Sequence, residues 1–422
     1  MQILYQRCAG IDVHKDQITV AARLPGTGPG GRDTQVRKFA AFYGVLREMT
    51  RWLASLGVTH VAMEATGIYT MPVFHALMEP GTFEQVLVCN AAHVKNVPGR
   101  KTDAVDAAWL SQLLECGLLA GSFIPPENVK ALRDVVRYRK KLVEQRSSET
   151  QRLGGVLQDA GIKLDSVASS IDTVSGLDMI QALIDGERRG AVLADLARGR
   201  MRAKIADLSL ALEGRFGQHH ALMCTLHLEH IAGLNEMIAR LDTQVEQMMI
   251  PFARQRDLLI TIPGIGPRVA SVIISEIGAD VAGYFRTDAH LASWAGLCPG
   301  NHESAGKRKH GRPRKANQHL KPALVEAAWA AVQADGRLKA RYRRLVLRFG
   351  GYKNKAAKKK AIIAVAHTLI LITWHVLAEG VPYTELGADF YTRRINPEQE
   401  TRRLLARLEA LGCKVTLGHA AA

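Results

Sequence analysis

Between Cys8 and Arg23 the apolar positions fall into two short runs, CAGIDV and QITVAARL, broken by the polar stretch His14 to Asp16. Runs of that length around a polar turn predict a β-hairpin. A Gly/Pro-rich loop follows at 25–32. Next come a helical stretch near Phe42 to Leu56, a buried strand HVAMEA over 60–65, a helix from Tyr69 to Met78, a strand QVLVCN over 85–90 and an apolar helix from Ala107 to Leu119. Strands alternating with helices predict an α/β layered domain, to which the hairpin adds an antiparallel edge. This block ends near Pro125 and Pro126.

Beyond the prolines the period changes to that of long helices. Ile231, Leu234, Ile238, Leu241, Val245 and Met248 repeat at spacings of three and four, which draws one apolar seam along a helix. Such a seam fits either a short coiled coil between chains or a helical hairpin with residues 127–160. The stretch 165–220 is largely helical by pattern and carries no evident chemistry. Near 258 a third block opens with LLITIPGIGPRVASVIISEIG, the apolar helix, Pro-Gly-Ile-Gly, apolar helix pattern of a helix-hairpin-helix element. Gly264 and Gly266 would let backbone N–H groups approach a phosphate beside a helix N-terminus. The apolar run Ala361 to Leu377 contains His367, His375 and two threonines and reads as a buried or amphipathic helix rather than a membrane span. The organisation expected is therefore 1–126, an α/β domain; 127–256, a helical linker; 257–380, a helical C-terminal domain; and 381–422, a tail.

Charge changes the picture. Lys and Arg exceed Asp and Glu by sixteen over 422 residues, and residues 301–360 alone hold eighteen Lys and Arg against three acids. A field so concentrated attracts a polyanion, nucleic acid before an anionic membrane. The six cysteines show no Cys-x-x-Cys pair, so neither a zinc site nor a disulfide framework is expected. With no signal-peptide pattern at the start, a cytoplasmic, nucleoid-associated protein is expected.

Four acids stand where the predicted strands end and the later helix begins. Asp12 closes the first strand, Glu64 closes HVAMEA, and Asp103 and Asp106 in KTDAVDA lie on one helical face. Strand ends in α/β folds point into the ligand crevice. Carboxylate oxygens gathered there suit Mg2+, and Arg100 and Lys101 would meet a phosphate recruited by the ion. Taken alone, Asp103 and Asp106 would serve as helix cap and dipole partner; Asp12 and Glu64 shift that balance, since a polar residue ending an apolar strand has no packing purpose. His14 reads as a turn residue or phosphate contact.

GIDVHK (10–15), MEATGIY (63–69) and KTDAVDA (101–107), followed by PGIGP, WAGLCPG and ESAGKRKHGRPRK, resemble the DEDD-type insertion-sequence transposases, which include the pilin-gene invertases. The resemblance covers about residues 8–160 and 257–345. It implies an N-terminal domain of the ribonuclease-H-like, RuvC-like α/β fold followed by mostly α-helical middle and C-terminal regions. It also implies that Asp12, Glu64, Asp103 and Asp106 hold Mg2+ and that Ser304, shortly after Gly296-Leu297-Cys298-Pro299, attacks the scissile phosphate. The family's Ser-Gly is here Ser304-Ala305-Gly306. From the residues alone Ser304 would pass as a loop serine beside a solvated basic run, although Lys307, Arg308 and Lys309 could stabilise a pentavalent phosphorane.

The implied activity is that of a recombinase that cleaves and rejoins DNA through a phosphoserine, works without ATP and takes its target choice from a structured bridge RNA. The expected partners are donor and target DNA, that guide RNA and further copies of the chain, as dimer or tetramer, with no membrane. Backbone contacts are expected from Lys307, Arg308, Lys309, Arg312, Arg314 and Lys315, and from Arg341, Arg344 and Arg348, which with Arg337 line one face of a helix. Two rivals remain: a Mg2+-dependent Holliday-junction-type endonuclease using the carboxylates only, and a nucleic-acid-binding protein with a degenerate catalytic fold.

Overall fold

Strand β1 (Cys8–Val13) is covered on both faces, and its pattern sets the first unit. The computed structural model describes residues 3–28, 31–90, 106–300, 303–304, 307–308, 316–394 and 396–415. The chain divides into two compact units, Met1–Ile124 and Pro125–Ala422.

In the first unit β1 pairs antiparallel with β2 (Gln17–Pro25), from Cys8 opposite Arg23 to Val13 opposite Ile18. The turn closes through the His14 N–H, which donates to the Gln17 carbonyl at 3.1 Å. β2 pairs with β3 (Arg32–Ala40), and on its other side β1 runs parallel to β4 (His60–Glu64), which runs parallel to β5 (Gln85–Cys89). The order β3-β2-β1-β4-β5 is that of a ribonuclease-H-like mixed sheet. The expected hairpin and the alternation of strands with helices are present. The strand β3 is an addition: its residues are mostly exposed, so no apolar alternation announced it.

Side chains alternate across a strand, so β1 sends Ala9, Ile11 and Val13 to one face and Cys8, Gly10 and Asp12 to the other. The first set packs with Leu46, Met49 and Leu53 of α1 (Tyr43–Ser55) and Val73, Ala76 and Leu77 of α2 (Thr70–Met78). The second face is covered by α3 (Asp106–Glu115), whose Leu110, Leu113 and Leu114 cluster with Cys8, Ala62 and Cys89. Gly10 allows this close approach: a Cβ there would stand 2.1 Å from the Ala107 carbonyl oxygen and 2.5 Å from the Ser111 nitrogen.

In the second unit α4 (Glu127–Asp159) and α5 (Gln218–Met249) pack along one another as a helical hairpin. The predicted seam finds its partner within the chain: Ile231, Leu234 and Val245 are buried, and Ile238, Leu241 and Met248 half-buried. Short helices between Leu164 and Ala211 close one end around Leu153, Leu157, Ile180, Leu193 and Leu208. The helices α6 (Ala253–Ile260), α7 (Pro267–Ile277), α8 (Asp288–Trp294), α9 (Leu320–Ala331) and α10 (Arg337–Arg348) follow. α11 (Lys355–Glu379) packs against α6, α8, α9 and α10. It is long and apolar enough to cross a membrane, yet half of its apolar window is buried by these neighbours. A last helix, α12 (Pro397–Ala410), buries no side chain.

A buried acid ties α4 to α7. Glu276 is fully buried and accepts two hydrogen bonds of 2.8 Å from Arg137 and one of 2.5 Å from Asn317, while Arg133 donates to the carbonyls of Ser275 and Glu276. Burial alone would raise its carboxyl pKa; Arg137, Asn317 and Arg133 outweigh burial and hold it below the usual range.

Candidate active site and nucleic-acid interface

The acids of the first unit are placed by strand register. β1 and β4 are parallel neighbours with Ile11 opposite Met63, so the next residues, Asp12 and Glu64, stand side by side where both strands end. By alternation they share the face that carries Cys8, Gly10 and Ala62, which is the face α3 covers. α3 runs against β1: Ser111 lies at Cys8, with the thiol donating to its carbonyl at 3.4 Å, and Ala107 lies at Gly10. Its first residue, Asp106, therefore comes to the strand ends where Asp12 and Glu64 lie. Asp103 lies outside the described residues, as do Arg100 and Lys101.

The Asp12 side chain is about one-sixth exposed, and its Oδ2 is 3.0 Å from Nε2 of the largely exposed His14. His14 thus lies in the turn and also contacts the Asp12 carboxylate. Glu64 has no ion-pair partner among the described residues and lies opposite Cys89 on β5. Burial, and then the Glu64 charge, push the Cys89 thiol up to about 11. The carboxylate oxygens of Asp12, Glu64 and Asp106 are hard donors of the kind that would fit magnesium. Among the described residues no three His, Cys, Asp or Glu side chains close on one point tightly enough to hold an ion. The described acids share one end of one face without forming a cage.

In the second unit the segment leading to Ser304 is fixed by the end of α8. Gly296 has φ +65°, and the N–H groups of Gly296 and Leu297 donate to the carbonyls of Ser293 and Ala292, a helix-ending turn that glycine makes without strain. A two-residue ladder follows: β6 (Glu303–Ser304) pairs antiparallel with β7 (Lys307–Arg308), with Ser304 opposite Lys307 and Glu303 opposite Arg308. Ser304 thus sits on backbone held by cross-strand pairing, directly across from a basic position. Lys309, Arg312, Arg314 and Lys315 lie outside the described residues.

The expected pair of helices α6 and α7 around the Pro-Gly-Ile-Gly turn forms, with its two glycines in different roles. Gly264 has φ +84°, and a Cβ on it would stand 2.1 Å from the Ala327 carbonyl oxygen of α9. Its smallness serves packing between helices on the side where a Cβ would point. Gly266 caps α7 and faces open space. It lines a cleft of about 1040 Å3 between α4, α5, α7 and α9, together with Lys140, Arg268 and His319. Nothing in the sequence pointed to this cleft, because its walls come from four separated segments. Arg341, Arg344 and Arg348 lie on α10 as expected; Arg344 and Arg348 are exposed and Arg341 half-buried.

A second acid of the first unit also escaped sequence reading. Glu115, at the far end of α3, is buried and ion-paired with Arg23 of β2 and Arg32 of β3. Burial and then this charge raise the nearby Cys8 thiol to about 12.

The comparisons with known proteins agree with this layout. Residues 9–162 match the DEDD transposase family of the IS110 type, and residues 256–343 match the family described as Transposase IS116/IS110/IS902. The chain is 23% identical over 342 residues to the transposase for insertion sequence element IS1328 of Yersinia enterocolitica, covering 80% of this chain and 89% of that protein. It is 32% identical over 161 residues to the pilin gene-inverting protein of Moraxella bovis, covering 37% of this chain and 48% of that one. An uncharacterized 43.6 kDa protein of insertion element IS110 from Streptomyces coelicolor is 33% identical over 128 residues, which is 30% of this chain and 29% of that one. With the ribonuclease-H-like sheet in front and the helical region behind, the chain belongs to the IS110 family of insertion-sequence transposases, enzymes that act on DNA.

Proposed function

We propose that the chain moves its insertion sequence by cutting and rejoining DNA through a phosphoserine link at Ser304, with magnesium held by Asp12, Glu64, Asp103 and Asp106. The observation that carries this reading is the register that sets Asp12 beside Glu64 on the face where α3 begins with Asp106. A bound magnesium ion would neutralise charge on the phosphate and ease ionisation of an attacking hydroxyl. The chain's own part is to hold the carboxylates in place: Gly10 lets α3 lie close, and His14 orients Asp12.

At Ser304 the hydroxyl oxygen forms a bond to phosphorus as the bond to one strand oxygen breaks, and the serine proton leaves with that oxygen. The phosphodiester is conserved in the new link, so a second strand hydroxyl reverses the exchange and rejoins DNA without ATP. The basic residues opposite and after Ser304 would stabilise the crowded phosphate. Target choice is assigned to a bridge RNA encoded by the element, and the assembly to a dimer or tetramer, as the family resemblance implies; the basic surplus of residues 301–360 suits a protein that holds RNA as well as DNA.

A trapping assay tests this: the protein, its element-derived RNA, nicked donor DNA and magnesium are incubated and resolved on a denaturing gel. The proposal expects a protein–DNA adduct that is absent in Ser304→Ala and in Asp12→Ala. Cleavage without an adduct, unaffected by Ser304→Ala, would overturn it in favour of a hydrolytic junction nuclease.

A further inference from the structure

The tail after α11 returns to the arginine face of α10. Gly380 ends α11 with φ +66°, and the chain then crosses α6, where the Tyr383 N–H donates to Thr261 Oγ1 at 2.8 Å. Glu385 Oε1 next accepts from the backbone N–H groups of Arg337 and Gly387 at 2.8 and 2.9 Å, fixing the segment at the start of α10. From there two aromatic rings reach the arginines. Phe390 lies under two guanidinium groups, with the Arg337 and Arg394 carbons 4.5 and 4.6 Å from its centroid. Tyr391 has Arg344 at 5.3 Å from its centroid and takes a 3.4 Å hydrogen bond from Arg341 to its hydroxyl. Burial alone would raise the Tyr391 phenol; Arg341 and Arg337 overcome it and hold the phenol below its ordinary range.

Among the described residues none of these four arginines has a carboxylate within ion-pair distance, whereas neighbouring Arg393 is paired with Asp389. The Nε atoms of Arg337 and Arg341 are buried without a hydrogen-bond partner. Four like charges collected on two rings repel one another, and an arginine stacked on a ring keeps its in-plane N–H groups for an anion. A guanidinium so ordered loses less side-chain entropy when it meets a phosphate.

We propose that Phe390 and Tyr391 order Arg337, Arg341, Arg344 and Arg394 into a surface that binds the phosphodiester backbone of nucleic acid, which gives the tail its role. This rests on the family reading in requiring a nucleic-acid partner, and it needs no strand chemistry. Phe390 and Tyr391 act as positioning residues.

The test is a salt titration of full-length protein with a labelled random-sequence DNA duplex, without magnesium. Phe390→Leu with Tyr391→Leu removes no charge, yet should weaken binding about tenfold at fixed salt and lower the log–log salt slope by about one to two. Arg394→Gln, at an exposed position, should lower the slope by about one, while Arg393→Gln should leave affinity and slope unchanged. Unchanged binding in both the aromatic double variant and Arg394→Gln would overturn the proposal. Tighter binding in the double variant would also overturn it, by showing that the tail covers the arginines instead of ordering them. Equal loss of an acidic peptide and of duplex would reassign the surface to proteins. If binding behaves as predicted while no Ser304 adduct ever forms, the strand chemistry fails and this surface stands.

Discussion

One end of α3 gathers Asp12, Glu64 and Asp106 on a single face; the other holds one acid, Glu115, between Arg23 and Arg32. Both ends belong to the same sheet and helix, so fold class does not distinguish them. The difference lies in what neutralises the charge. At Glu115 the protein supplies its own cations and the acid is buried, the arrangement of a structural tie. At the strand ends Asp12 and Glu64 stand side by side near the start of α3, with the largely exposed His14 beside Asp12; in the function proposed above, that end takes its cation from solution. An acid is therefore read by its neighbours, not by its burial.

The largest expected effect strikes the strand-end acids alone. Asp12→Asn should lower strand cleavage by about a thousandfold or more, since losing one ligand of a charge-stabilising ion forfeits several kcal/mol. Its melting temperature should hold, because the contact weakened is with the largely exposed His14; a large loss of stability would make Asp12 structural. Glu115→Gln should do the reverse at the other end and cost about 3–4 kcal/mol in chemical denaturation, because two arginines are left with an uncompensated buried charge. Gly10→Ala presses on both ends at once: the added Cβ meets the α3 backbone at 2.1 Å, so about 1–3 kcal/mol is lost. Cleavage should fall with it as Asp106 moves from the strand ends. Full activity in that variant would show that α3 does not position the site.

The smallest effect extends the rule to the second unit. Glu149 is buried beside His227, Arg152 and His230, and its carboxyl is lowered to about 2, first by the His227 hydrogen bond. Its folded pKa lies below the unfolded one. It therefore stabilises above about pH 4.5, and that stability is lost as pH falls toward 2. Glu149→Gln should flatten the acid limb of a stability–pH curve; an unchanged limb would place the acid sensitivity elsewhere.

Much of this was legible in the sequence, for local reasons. The β1–β2 hairpin, β4, β5 and the α5 seam announce themselves through apolar spacing, and Asp12 and Glu64 through a polar residue closing an apolar run. β3 did not, because an exposed edge strand needs only β2 to hold it and shows no apolar face. Gly264 also brings α9 close, a packing role set by a helix some sixty residues on that no local pattern records. The ties Glu276–Arg137 and Glu115–Arg23 join residues 139 and 92 apart, and no local pattern records such a partner. Ser304 needed the family resemblance, since two-residue strands carry no periodicity.

The central claim, that the crowded end of α3 is built for a divalent ion, is met most directly by titrating the full chain with Mn2+ and following free Mn2+ by electron paramagnetic resonance. The account predicts binding at the four-acid site in the wild-type chain, lost when Asp12→Asn and Glu64→Gln are combined. Binding of equal strength and stoichiometry in that double variant would contradict it.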